Sequence, residues 1–245
     1  MTPPPMTTAF AEEEMMAYSA APRHHLTVWY PSVGVYAARQ GSWVLGAKFG
    51  SNGDSHNHND VGSVTLYRDG RPLLIDVGVE TYSKKTFSPQ RYEIWTMQSC
   101  WHNLPQFDPD GAKYDQQPGA AFAAADVTVT DALDGLAMDL APAYGSVPGL
   151  GRYRRSVHLT DTGLTLRDET DYPGTVALTL MSVEKPAVDG DTVAFGALAA
   201  AAVTGADKIV TEAVPIADPR LRQAWPDTLY RTRIYFTQQL SLVIG

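Results

Sequence analysis

Residues 61–77 read Val61-Gly62-Ser63-Val64-Thr65-Leu66-Tyr67-Arg68-Asp69-Gly70-Arg71-Pro72-Leu73-Leu74-Ile75-Asp76-Val77. Two runs of β-branched, aromatic and leucine side chains flank Asp69-Gly70, a dipeptide that tolerates positive φ and suits a two-residue hairpin turn. Such a turn pairs Arg68 with Arg71 and sets Asp76 opposite Ser63. The same pattern extends in both directions. Upstream, residues 27–30, 33–39 and 42–49 are short β-prone runs, the last two joined at Gln40-Gly41. Downstream, residues 126–130, 136–140, 152–159, 163–169 and 176–183 read as strands. Turns are expected at Asp161-Thr162-Gly163 and Asp189-Gly190-Asp191. Residues 231–236 and 240–244 are expected to close the chain as a last pair. Only residues 89–98 offer a helical stretch. Many short strands at close spacing, without a longer internal repeat, predict an all-β fold, a large antiparallel β-sandwich.

The 245 residues are 44% hydrophobic and 19% charged, which fits one large domain with a buried core. Residues 1–26 differ from the rest. Pro3-Pro4-Pro5, Glu12-Glu13-Glu14 and Met15-Met16 predict a linker-like or short helical segment before a sandwich spanning 27–245. Lys and Arg number 19 against 27 Asp and Glu, a net charge of −8. That balance argues against nucleic acid or an anionic membrane surface as a partner. An acidic ligand remains compatible through a local basic patch. The single cysteine, Cys100, excludes an internal disulfide and a cysteine-cluster metal site. The longest apolar run, residues 197–203, falls far short of the roughly 20 residues that cross a bilayer. No basic start followed by an apolar stretch opens the chain, so no secretory signal is read. A cytoplasmic location is favoured slightly over a periplasmic one, and a longer parent would leave it open.

The histidines carry the chemistry. His56 and His58 sit in Ser55-His56-Asn57-His58-Asn59-Asp60, and His102 in Trp101-His102-Asn103. In an extended segment His56 and His58 project to one side. Two imidazoles with a carboxylate nearby make a divalent-metal site; the other reading is a polar turn with hydrogen-bonded histidines. Asp60 is the nearest carboxylate. Asp76 is the more conspicuous, because it ends the apolar run Leu73-Leu74-Ile75, where a carboxylate needs a partner or caps a turn. The simple hairpin leaves His58 roughly 17 Å along the strand from the level of Asp76. The chain before Val61 must therefore fold back. Trp29, Tyr30, Trp43, Trp95, Trp101 and Trp225 could stack on sugars, although a sandwich core claims such side chains first.

The stretch from Gly46 to Gln117 resembles the C-terminal domain of heparinase II/III-like polysaccharide lyases. The resemblance rests on His56-Asn57-His58-Asn59-Asp60 with Gly62-Ser63, Gly70 to Gly78, Tyr82, Arg91-Tyr92, His102-Asn103-Leu104-Pro105, Asp110-Gly111 and Gln116. It continues more weakly through Gly151-Arg152-Tyr153-Arg154-Arg155, Asp168-Glu169-Thr170 and Trp225-Pro226-Asp227-Thr228-Leu229-Tyr230-Arg231. Members of that family carry an N-terminal α/α-toroid before the sandwich, and they cleave uronate-containing polysaccharides by β-elimination. The resemblance implies metal ligands His58, Asp76 and His102 for one divalent ion, zinc first, with a mainly structural role. It implies His56 and Tyr92 as catalytic groups, with Tyr82 as the rival tyrosine, and Arg91, Asn57 and Asn103 as contacts to substrate. The partners implied are an acidic poly- or oligosaccharide and a toroid of the same parent protein. The residues ahead of the sandwich are too few for a toroid. This chain is therefore expected to be the C-terminal domain of a longer lyase with little activity alone, or else a glycan-binding or structural sandwich that retains the metal.

Overall fold

The computed structural model describes residues 25–245, so the segment 1–26 lies almost wholly outside the described residues. Alternation in sequence becomes alternation in burial. The first sheet is built from β1 (His25–Tyr30), β2 (Val35–Gln40) and β3 (Trp43–Lys48). After a two-residue strand β4 (Ser51–Asn52) it takes in β5 (Val64–Arg68) and β6 (Arg71–Leu74), in the order β1-β2-β3-β5-β6. In β3, Trp43, Leu45 and Ala47 are buried while Val44, Gly46 and Lys48 are not. The Asp69-Gly70 turn forms as expected: Arg68 pairs with Arg71, and both turn residues have positive φ, 51° and 73°.

The second sheet has ten strands. Its members are β7 (Pro105–Phe107), β9 (Ala125–Val129), β10 (Gly135–Asp139), β11 (Tyr153–Thr160), β12 (Gly163–Thr170) and β13 (Val176–Ser182), followed by β14 (Pro186–Asp189), β15 (Thr192–Phe195), β16 (Ala199–Pro215) and β17 (Thr228–Ile244). A further strand, β8 (Gly119–Ala123), pairs with β4 instead. The strand ladders are antiparallel. The two larger sheets enclose a core that includes Tyr36, Trp43, Leu66, Phe107, Met138, Leu159 and Phe236. The all-β antiparallel sandwich read from the sequence is the fold observed.

Two expectations are corrected. Residues 231–236 and 240–244 are not partners of each other but halves of one strand, β17. Its first half pairs with β13 and its second with β12, while β16 runs along the other side. The change of partner coincides with Gln238 at φ 65° and with bulges in β16 around Gly205 at φ 90°. A bulge bends the ladder locally, which lets one strand serve two neighbours. The second correction concerns residues 89–98. They form separate 3-10 turns, Arg91–Glu93 and Trp95–Met97, followed by Ser99–Trp101. Ile94 and Gln98 are extended, at ψ 124° and 138°, so the chain closes short i→i+3 turns on either side of them instead of a continuous helix, and Met97 O accepts the Asn59 N–H from the histidine loop. No helix of the described residues is long and apolar enough to cross a membrane.

A buried ion pair joins the layers. Arg155 and Asp168, both 0% exposed, form a bidentate bridge at 2.8 and 2.7 Å. The remaining guanidinium nitrogen donates to Gly62 O and Asn103 O, at 2.9 and 2.7 Å. The larger sheet thereby grips the two loops that carry the histidines.

Candidate metal centre and the loop around it

Asp76 is not in the ladder. Tyr67 pairs with Pro72 but Leu66 with Leu74, so β6 gains a residue, and the strand ends at Leu74. The expected pairing of Asp76 with Ser63 is therefore replaced by a turn: Asp76 Oδ1 accepts the Gly78 N–H at 2.7 Å, with Gly78 at φ 83°. The loop before Val61 does fold back. Asn52, Asn59 and Gln116 tie it down: Gln116 Oε1 accepts from Asn52 Nδ2 and the Val61 N–H, and Gln116 Nε2 donates to Val61 O. Asn59 Nδ2 donates to Gln116 O, and Lys48 pairs with Asp60.

This folding brings His58, Asp76 and His102 together, with their ligand atoms within 4.8 Å of one another. His102 is buried. Its Nε2 lies 3.1 Å from Thr96 O and its Nδ1 lies 2.9 Å from Asp76 Oδ2. A carbonyl only accepts, so Nε2 carries a proton and Nδ1 is the atom turned to the carboxylate. Burial disfavours charge on both partners, but their mutual attraction and hydrogen bond outweigh it. The Asp76 carboxyl is held well below the usual range and His102 is raised above an ordinary histidine. Burial, with His102 close by, lowers His58 to about 4, so its ring is neutral near pH 7 with a lone pair to offer.

Two imidazole nitrogens and one carboxylate oxygen, converging from three loops, could hold a divalent cation. The Thr96 carbonyl would hold the His102 ring in the ligating tautomer from behind. The cation would take the place of the proton shared by His102 and Asp76.

The other expected site residues divide. His56 is exposed and adopts φ 60°, so residues 56–58 form no extended segment and the same-side expectation for His56 and His58 does not hold. His58 turns inward, and His56 stands against Tyr82 at 6.3 Å with rings 20° apart. Asn57 lies between them with its amide fully engaged. Its Nδ2 donates to Asn52 O and His58 O, and its Oδ1 accepts from the Tyr92 hydroxyl at 3.0 Å. Arg91 grips the same loop, donating from Nε and Nη2 to Asn57 O and from Nη1 to Thr86 O. Asn103 is 0% exposed. It bonds to Val64 O, Ile75 O and the Met181 N–H, and so joins three elements in a place no sugar reaches. Of the aromatics, Trp43 is core, Trp95, Trp101 and Trp225 pack on a smaller cluster around Ile75 and Leu229, and Tyr30 is exposed.

Sequence reasoning gave no site role to Gln116, Thr96, Arg155 or Asp168. A signal existed for Arg155, which falls in phase with the inward-facing Tyr153, Val157 and Leu159. A charge at such a position needs a buried partner.

The fold and the cluster together define an antiparallel β-sandwich with a two-histidine, one-aspartate cluster that could hold a metal ion. Residues 22–242 match the family model described as heparinase II/III-like, C-terminal, and the chain belongs to that family. Among solved structures it is similar to heparinase III, with a TM-score of 0.63 and 20% identity over 92% of this chain and 37% of that one. Heparan sulfate lyase HepC from Pedobacter heparinus gives 0.63 and 17%, over 96% and 38%. A Streptomyces coelicolor A3 chondroitin AC lyase solved with chondroitin sulphate gives 0.53 and 10%, over 98% and 35%. The chain thus spans less than two fifths of the length of these structures, and at such identities they show the fold. A search of curated protein sequences finds no match.

Proposed function

We propose that this chain is the metal-bearing C-terminal sandwich of a longer polysaccharide lyase that cleaves uronate-containing chains by β-elimination. The observation that carries the reading is the setting of His56. It is an exposed imidazole on a loop anchored at its next residues by His58 to the Asp76–His102 pair and by Asn57 to Arg91 and Tyr92.

β-Elimination removes the proton on the carbon beside the uronate carboxylate and expels the oxygen of the 4-linked sugar. The proton is weakly acidic until the carboxylate charge is neutralised. The site therefore needs donors to that carboxylate, a base, and an acid for the leaving oxygen. His56 and Tyr92 supply two of these groups. Arg91 and Asn57 act one step back, fixing the loop and the Tyr92 hydroxyl. A bound divalent ion, zinc first, pins the loop and adds folding free energy, because it binds the native arrangement only. An upstream α/α-toroid supplies the group that neutralises the carboxylate. Since such groups act as a unit, the sandwich alone has little or no turnover.

The test uses a longer protein carrying the upstream helical domain, beside residues 1–245 alone. The longer protein releases unsaturated uronate, read by its ultraviolet absorbance. His56→Ala and Tyr92→Phe each lower that release, His56→Ala with little change in melting temperature and Tyr92→Phe with a loss of no more than a few degrees. Robust release by residues 1–245 alone refutes the division of labour. Glycan binding by the longer protein without unsaturated product points to a non-catalytic binding module instead.

A further inference from the structure

One surface patch beside His56 has no explanation in packing. Phe87 is 68% exposed and belongs to neither apolar cluster. It ends the short turn Lys85–Phe87, whose inward residue is Thr86. Its ring meets Tyr82 edge-on, with centroids 5.4 Å apart at 72°. Tyr82 is itself 41% exposed, with His56 stacked at 6.3 Å and the Arg220 guanidinium 4.7 Å over its ring. A single tyrosine thus links the exposed histidine, an open phenylalanine and a cation. The two loops involved are joined, since the Thr81 N–H donates to Asp218 Oδ2.

The charges at this patch are unequally engaged. Asp218 accepts the N–H groups of Thr81, Arg220 and Leu221, and Glu93 pairs with Lys85. Arg220 and Lys84 are exposed, and among the described residues neither makes an ion pair with a carboxylate. Single exposed apolar residues need no explanation. Here two aromatic rings, the Arg220 guanidinium and the candidate catalytic histidine are contiguous, and Lys84 directly precedes the turn that carries Phe87. Two partly exposed rings, each burying about 150–250 Å² at most, fall short of the roughly 800 Å² per partner of a stable protein interface. They match one sugar ring, whose C–H face lies on an aromatic while its anionic substituent reaches a cation.

We propose that Phe87, Tyr82, Arg220 and Lys84 form a subsite for an acidic sugar next to His56. Phe87 offers the open aromatic face, and Arg220 with Lys84 receives the carboxylate or sulfate. Tyr82, covered by His56 and Arg220, couples this subsite to the histidine. The inference rests on the lyase reading above and adds where the neighbouring sugar lies and why it must be acidic.

The 245-residue chain is titrated with unsulfated heparosan tetrasaccharide, sulfated chondroitin tetrasaccharide and neutral cellotetraose, by calorimetry or NMR. Both acidic glycans bind, and cellotetraose binds at least roughly tenfold more weakly. Preference between the two acidic glycans separates carboxylate from sulfate recognition. Phe87→Ala weakens acidic-glycan binding by roughly tenfold, as for an aromatic contact residue, and Phe87→Trp restores it. Arg220→Gln erases the preference for acidic over neutral glycan. Neither substitution alters the melting temperature, because both side chains are exposed. Equal binding of neutral and acidic glycans, or an unchanged Kd in Phe87→Ala, overturns the subsite while leaving the lyase reading intact if the longer protein still cleaves. Failure of any acidic glycan to bind, together with absence of cleavage by the longer protein, removes both.

Discussion

The inner and outer halves of the 52–61 loop are built on opposite terms. Inward, Asn52, Asn57, His58 and Asn59 meet partners on Tyr92, His102 and Gln116, and the Arg155–Asp168 pair holds the loops from below. Outward, His56 has a strained backbone, solvent on most sides, and a ring contact in place of a hydrogen bond. The difference teaches which histidine can do what. A residue whose polar atoms are all matched holds a conformation, whereas one left open at the rim can meet a substrate. Three expected site residues, Arg91, Asn57 and Asn103, fall on the holding side, and Tyr92, whose hydroxyl donates to Asn57, stands between the two.

That contrast can be broken most severely at its base. Arg155→Ala leaves Asp168 as an unpaired buried charge and two buried carbonyls without donors. It should cost about 3–5 kcal/mol in a denaturant melt. A loss comparable to a surface substitution would mean the pair does not support the loops.

His58→Ala or Asp76→Ala comes next. Each should lower the melting temperature by several degrees and abolish one equivalent of bound zinc in elemental analysis, and chelator should reproduce the shift in the parent protein. Insensitivity of the parent to chelator would remove the metal from the stability argument. Gly62→Ala should destabilise by about 1–3 kcal/mol. Gly62 sits at φ 88°, and an added Cβ would lie 2.5 Å from the Leu140 side chain.

Smaller again, Tyr92→Phe removes the hydroxyl that binds Asn57 and should cost about 0.5–1.5 kcal/mol. His56→Ala should fall within about 0.5 kcal/mol of the parent, as for an exposed residue. Equal losses at His56 and His58 would erase the distinction between the two sides of the loop.

What could be read from the chain was what short stretches settle alone. The Asp69-Gly70 hairpin was legible because its turn depends on the φ preferences of two adjacent residues. The inward and outward faces of β3 and β11 were legible because side chains alternate with period two. His58, Asp76 and His102 were named through family resemblance rather than spacing, since the plain ladder kept them apart. Tertiary structure decided the rest. The fold-back of the 52–61 loop depends on Gln116, Tyr92 and Met97, partners far along the chain. The single long β17, which changes neighbours at Gln238, likewise depends on distant strands. In both cases the deciding hydrogen bonds come from distant residues, and local propensity carries no trace of them.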